Sequence, residues 1–79
     1  MYGAHDCHLC EVAEDLLRKL APELGLAIRV VDITGDPDLE ARFRPEIPVV
    51  FLGGRKAYKY RVDARDLRRR VERLRHAPP

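Results

Sequence analysis

Two cysteines, Cys7 and Cys10, stand three apart at the head of a helical segment, with His8 and Leu9 between them. Side chains three apart on a helix are neighbours, roughly 5–6 Å between Cβ atoms. A disulfide needs Cα atoms about 4.4–6.8 Å apart. Such a pair opens and closes with little backbone movement, which is the chemistry of a reversible dithiol. The two members are unequal. Cys7 falls at the cap, where the first amide N–H groups lack a partner within the helix. Those groups and the helix dipole favour a thiolate. Cys10 falls one turn in, beside the apolar face, and is expected to be less exposed. Cys7 is therefore the expected nucleophile and Cys10 the resolving thiol. Protonated His8, and His5 with it, would favour the Cys7 thiolate; Asp6 would oppose it.

Rival chemistries for the same residues are narrower. A zinc knuckle needs a second Cys/His pair at zinc spacing; the chain has only two cysteines. His5 and His8 crowd the motif, and His76 is far along the chain. Covalent haem attachment needs a histidine after the second cysteine, where Glu11 stands. Two unrelated buried cysteines would not explain why both lie at a helix start after a polar loop. The alternative kept from another class is a binding module, in which two chains share zinc or an iron–sulfur cluster through paired Cys7 and Cys10.

The elements that must hold this pair can be read from the pattern. Leu9, Val12, Ala13, Leu16, Leu17 and Leu20 recur at helical spacing, giving a helix over His8–Leu20 ended by Pro22 and Gly25. Leu26–Ile33 is mostly apolar and β-branched, so a buried strand is expected. Asp36 is the expected N-cap with Pro37 at the first helical position. That short helix runs from Pro37 to Phe43, and Pro45 stops it. Ile47–Leu52 reads as a second strand, Gly53-Gly54 as a hairpin turn, and Arg55–Tyr60 as its antiparallel partner on a sheet edge. Asp63 caps a last helix whose apolar face is Ala64, Leu67, Val71 and Leu74. Only a stub, Met1–Ala4, precedes the cysteines. The tail from His76 to Pro79 reads as disordered.

Seventy-nine residues, 46% apolar and 35% charged, make one compact domain, 1–79, with little surface for a second site. No stretch approaches the ~18 apolar residues of a membrane helix. Met1–Asp6 has neither the basic nor the apolar part of a signal peptide, so the cytoplasm is the expected compartment. Structural disulfides are rare there, which again directs the two cysteines toward redox use. The net charge of +2 hides an asymmetry. Residues 1–40 carry nine acids and three bases; residues 41–79 carry twelve bases and four acids.

The order of elements, Cys7-His8-Leu9-Cys10 at the head of the first helix, and Ile47-Pro48-Val49-Val50 opening a strand together resemble the glutaredoxin-like branch of the thioredoxin superfamily. The likeness is greatest to its short members with a Cys-x-Leu-Cys motif, and it covers roughly Tyr2 to Arg75. It implies an α/β fold of the thioredoxin/glutaredoxin kind: a four-stranded mixed sheet flanked by three helices, the first strand central, and here very short or missing. It implies a cis bond before Pro48; read without the family, Pro48 is an ordinary trans proline opening a strand. It implies that Ile47 and Pro48 offer backbone to an extended substrate, a short form of strand addition.

The function implied is thiol–disulfide exchange through Cys7 and Cys10 on protein disulfides or glutathione mixed disulfides. No tightly bound cofactor is expected; glutathione is the candidate co-substrate, and the protein a monomer or dimer. The expected substrate-side residues are His8, Ile47, Pro48, Val62 and Asp63. Relatives place a Gly-Gly pair after the last strand, against glutathione. Here Gly53-Gly54 is the hairpin turn, and Tyr60-Arg61-Val62-Asp63 takes the glutathione side. The amides of Val62, Asp63 and Ala64 begin the last helix and suit a carboxylate; Arg61 helps, and Asp63 repels an anion. The arginines of that helix, from Arg65 to Arg75, suit phosphates. No aromatic interleaves with them and no nucleic-acid motif is present, which argues against a nucleic-acid role. The charge split also leads to the expectation of an acidic protein partner for this face.

Overall fold

The computed structural model describes residues 1–76. The order is β1 (Tyr2–Gly3), α1 (His8–Leu24), β2 (Val31–Asp32), α2 (Pro37–Phe43), a 3-10 turn (Arg44–Glu46), β3 (Val49–Leu52), β4 (Arg55–Lys59) and α3 (Ala64–His76). The strands form one mixed sheet in the order β2-β1-β3-β4. β1 pairs parallel with β2 and antiparallel with β3, and β3 pairs antiparallel with β4. The expected four-stranded sheet with three helices is present, and the stub at the start is its central strand, only two residues long.

Local chemistry explains most boundaries. The Asp36 carboxylate accepts from the amides of Asp38 and Leu39, both at 3.1 Å, a cap worth about 1 kcal/mol. Pro37 fits the first helical position because its missing N–H has no partner there anyway. Gly53 and Gly54 both have positive φ, 57° and 82°, as a two-residue hairpin turn matched to strand twist requires. Asp63 caps α3 by accepting from the Asp66 amide at 3.0 Å.

Four expectations are corrected. α1 runs past Pro22 to Leu24 and closes at Gly25, φ 67°. Pro22 sits exposed in the last turn, where water can satisfy the carbonyl it leaves without an amide. The expected buried strand over Leu26–Ile33 shrinks to Val31–Asp32 at a sheet edge, because two-residue β1 offers no longer ladder to pair with. Val30 is 38% exposed and only Ile33 is fully buried. Leu74, expected on the inner face of α3, is 57% exposed. His76 is not tail but the last residue of α3, paired with Glu72 at 2.8 Å; residues 77–79 of the expected tail lie outside the described residues.

Side-chain alternation along β3 splits the core in two. Val49 and Phe51 join Ile33, Ile47 and Phe43 of α2, with Cys10 and Ala4 in the same cluster. Tyr2 stacks on Phe43 at 4.4 Å between centroids and meets Phe51 edge-on. Val50 and Leu52 point the other way, to Leu17 and Leu20 of α1 and Leu67 and Val71 of α3. Several α3 arginines tie the helix down. Arg68 pairs with Glu23 at 3.0 Å, and Arg75 donates to the last carbonyl of α1, at Leu24. Arg70 pairs with Asp66 at 2.6 Å and lies over the Tyr58 ring.

Candidate active site

The two cysteines are held where β1 hands over to α1. Cys7 is the N-cap, in extended backbone, and its sulfur accepts the Cys10 amide at 3.2 Å. One of the orphan amides of a helix start is thus spent on sulfur. Cys7 is half-buried and Cys10 is buried, 3% exposed. Both are free thiols on one turn. The inequality read from the sequence is therefore a structural fact: an accessible outer sulfur and a covered inner one.

Burial pushes the Cys10 thiol up to about 11, reinforced by hydrogen bonding to the neighbouring Cys7 sulfur and by the charges of Cys7 and Asp6; the Ala4 backbone partly opposes this. Below that range Cys10 stays protonated. Iodoacetamide at pH 8, read by peptide mass spectrometry, should therefore alkylate Cys7 while leaving Cys10 unmodified until the pH approaches 11. Equal labelling of both would contradict the assignment.

The floor under Cys10 is Gly3 of β1. A Cβ built there would lie 3.1 Å from the Cys10 sulfur, tighter than ordinary packing allows. Nothing in the sequence singled this glycine out; its meaning appears only once β1 lies across α1. Arg44 was likewise missed. Its guanidinium bridges Asp6, at 3.2 Å, and Glu40 of α2, so the acid directly before Cys7 faces a counter-charge from 38 residues away. These acids hold Arg44 above its ordinary range, Glu40 most. His5 bonds Asp32 at 3.1 Å and His8 lies 3.7 Å from Glu11. Hydrogen bonds from Thr34, and then from His5, lower Asp32 to about 2.

The other expected site residues divide. The Ile47–Pro48 bond is cis. Ile47 packs in the cluster that holds Cys10 and touches Cys7, and Pro48 is wholly buried. His8 and Val62 share a groove of about 370 Å³ between the first half of α1 and the segment after β4. Leu9, Val12, Ala13 and Leu16 form one bank, Tyr60 and Arg61 the other with Val62. Asp63 does not line it; its carboxylate caps α3. Among the described residues, no three His, Cys, Asp or Glu side chains cluster to hold a metal ion. No described helix is long and apolar enough to cross a membrane.

The arrangement has relatives. The glutaredoxin-like domain family (DUF836) matches residues 1–72. Proteins of Mycobacterium bovis and of two strains of Mycobacterium tuberculosis, each named only as uncharacterized, are 33% identical over 78 residues, covering 92% of this chain and 80% of theirs. No solved structure matches. A mixed four-stranded sheet, a Cys-x-x-Cys pair on the first turn of α1 and a family match over nearly the whole length agree: the chain belongs to the glutaredoxin-like domain family.

Proposed function

We propose that the protein is a dithiol thiol–disulfide oxidoreductase of the cytoplasm, acting through Cys7 and Cys10. The observation that carries this reading is the half-buried Cys7 sulfur on the open end of α1, 3.2 Å from the Cys10 amide, with buried Cys10 one turn behind it. A Cys7 thiolate attacks one sulfur of a substrate disulfide and displaces the other as a thiolate, which takes a proton from solvent. Cys10 then loses its proton to solvent and attacks the Cys7 sulfur, releasing the second substrate thiolate. The substrate gains two electrons and two protons; the pair ends as a Cys7–Cys10 disulfide. A thiol reductant, glutathione or a protein dithiol, returns it to the starting state by the same exchanges.

Within this reading Ile47 and Pro48 form the platform beside the sulfurs, and His8 and Val62 the flank. The test is equilibration in buffers of graded glutathione/glutathione disulfide ratio, with acid quench and mass spectrometry. A single reversible two-electron transition, seen as loss of two hydrogens, is expected. A pair that stays dithiol, or goes only to glutathione adducts, across the series refutes it.

A further inference from the structure

The apolar stripe of α1 is not used up by the core. Helical spacing puts Leu9 and Val12 on the apolar face of α1, yet Leu9 is 36% and Val12 52% exposed. Cys10 and Ala13 face the core, at 3% each, and the exposed edge of the stripe forms the groove bank. Across the groove stands Tyr60, 44% exposed. Its φ is +70°, the only positive value outside glycine among the described residues. The Arg61 amide donates to Lys59 at 2.8 Å, so Tyr60 is the centre of a tight γ-turn of the rare positive-φ kind. For an aromatic side chain this backbone is strained, and strain of this sort persists where the surroundings impose it, often at ligand clamps. Here the Tyr60 amide is pinned to the Pro48 carbonyl at 2.9 Å. The groove thus begins at the two residues between the cysteines and is closed by a residue tied to the Ile47–Pro48 segment.

Its chemistry selects among disulfides. Glutathione presents two carboxylates and an ammonium. The groove walls are mostly apolar, with His8, Tyr60 and Arg61 as their polar side chains. At the start of α3, where a carboxylate would seek amides, the Asp63 carboxylate already accepts from Asp66 and repels a second anion.

Resting on the redox reading above, we propose that this groove receives an apolar side chain flanking the cysteine of an extended polypeptide, so that the substrates are protein disulfides and not glutathione mixed disulfides. His8 and Leu9, the two residues that follow Cys7 in the chain, line the groove, so a polypeptide bonded to the Cys7 sulfur has the mouth of the groove beside it. The partner chemistry is therefore a polypeptide disulfide with an aliphatic neighbour.

Reduction rates of 2-hydroxyethyl disulfide and of two peptide disulfides, identical except for Leu or Ser beside the cysteine, provide the test. The wild-type protein is expected to prefer the Leu peptide by about tenfold in kcat/KM. Tyr60→Gly removes one wall at a position where glycine suits the backbone, so it should fold at least as well by thermal melting. Val12→Gln changes an already exposed helix position. In both, the Leu/Ser ratio should fall to within about twofold. Asp63→Asn keeps the cap and removes the charge, and should raise the rate on glutathione disulfide about fivefold. Equal rates on the two peptides, or a ratio untouched by both groove variants, overturn the groove proposal alone. Failure to reduce even 2-hydroxyethyl disulfide overturns the redox reading and the groove proposal with it.

Discussion

Cys7→Ser should bring disulfide exchange down to the uncatalysed background, while Cys10→Ser should still complete the first half of the reaction and stall as a mixed disulfide. The asymmetry follows from position. Serine at position 7 keeps the helix cap, since its oxygen accepts the Cys10 amide as sulfur does, so folding survives and only the nucleophile is lost. Serine at position 10 loses the resolving sulfur from a site that is 3% exposed, and nothing then expels the bound substrate. Incubation with a peptide disulfide followed by non-reducing mass spectrometry distinguishes them: no adduct for the first variant, a stable one-to-one adduct for the second. An adduct on Cys10 in Cys7→Ser would reverse the roles.

The second large effect is on stability. Ile33→Ala removes the largest fully buried side chain, 0% exposed, from the cluster shared by Cys10, Phe43, Ile47 and Val49. Large-to-small changes of this kind cost about 2–5 kcal/mol, because the neighbours close the gap only in part. A domain of this length has roughly 4–12 kcal/mol in total. The variant should therefore melt about 10–30 °C lower, with Ile33→Val intermediate at about 0.5–1.5 kcal/mol. Thermal denaturation followed by circular dichroism measures this. A drop smaller than that of Ile33→Val would show that the site is not close-packed. The consequence reaches the active site, because the Ile33 amide also bonds the Gly3 carbonyl at 2.9 Å and so holds the strand that underlies Cys10.

What the sequence disclosed was whatever depends on near neighbours. Asp36 and Pro37 set the start of α2 to the residue, Gly53-Gly54 set the hairpin, and the cysteine spacing set cap and first turn. What it hid depends on residues brought together from afar. The pairing of Asp6 with Arg44 spans 38 residues and has no local signature. The length of β2 was limited by the brevity of its neighbour, not by its own β-branched residues. An apolar stripe tells which side of α1 avoids water, but not how far around that side the sheet and α3 extend; Leu9 and Val12 belong to the stripe and yet stay exposed. Positive φ at Tyr60 carries no residue-type signal at all, since tyrosine does not choose it. The roles of Ile47, Pro48, Val62 and Asp63 came from family likeness, not from spacing.

Gly3 lets the middle of the sheet lie directly against the inner sulfur. The Cys10 sulfur lies so close over β1 that a Cβ at position 3 would stand only 3.1 Å from it. That strand is two residues long and joins β2 to β3, so the inner sulfur rests directly on the element that links the two sides of the sheet. Any side chain larger than glycine at position 3 would therefore press on the inner thiol and on the middle of the sheet together.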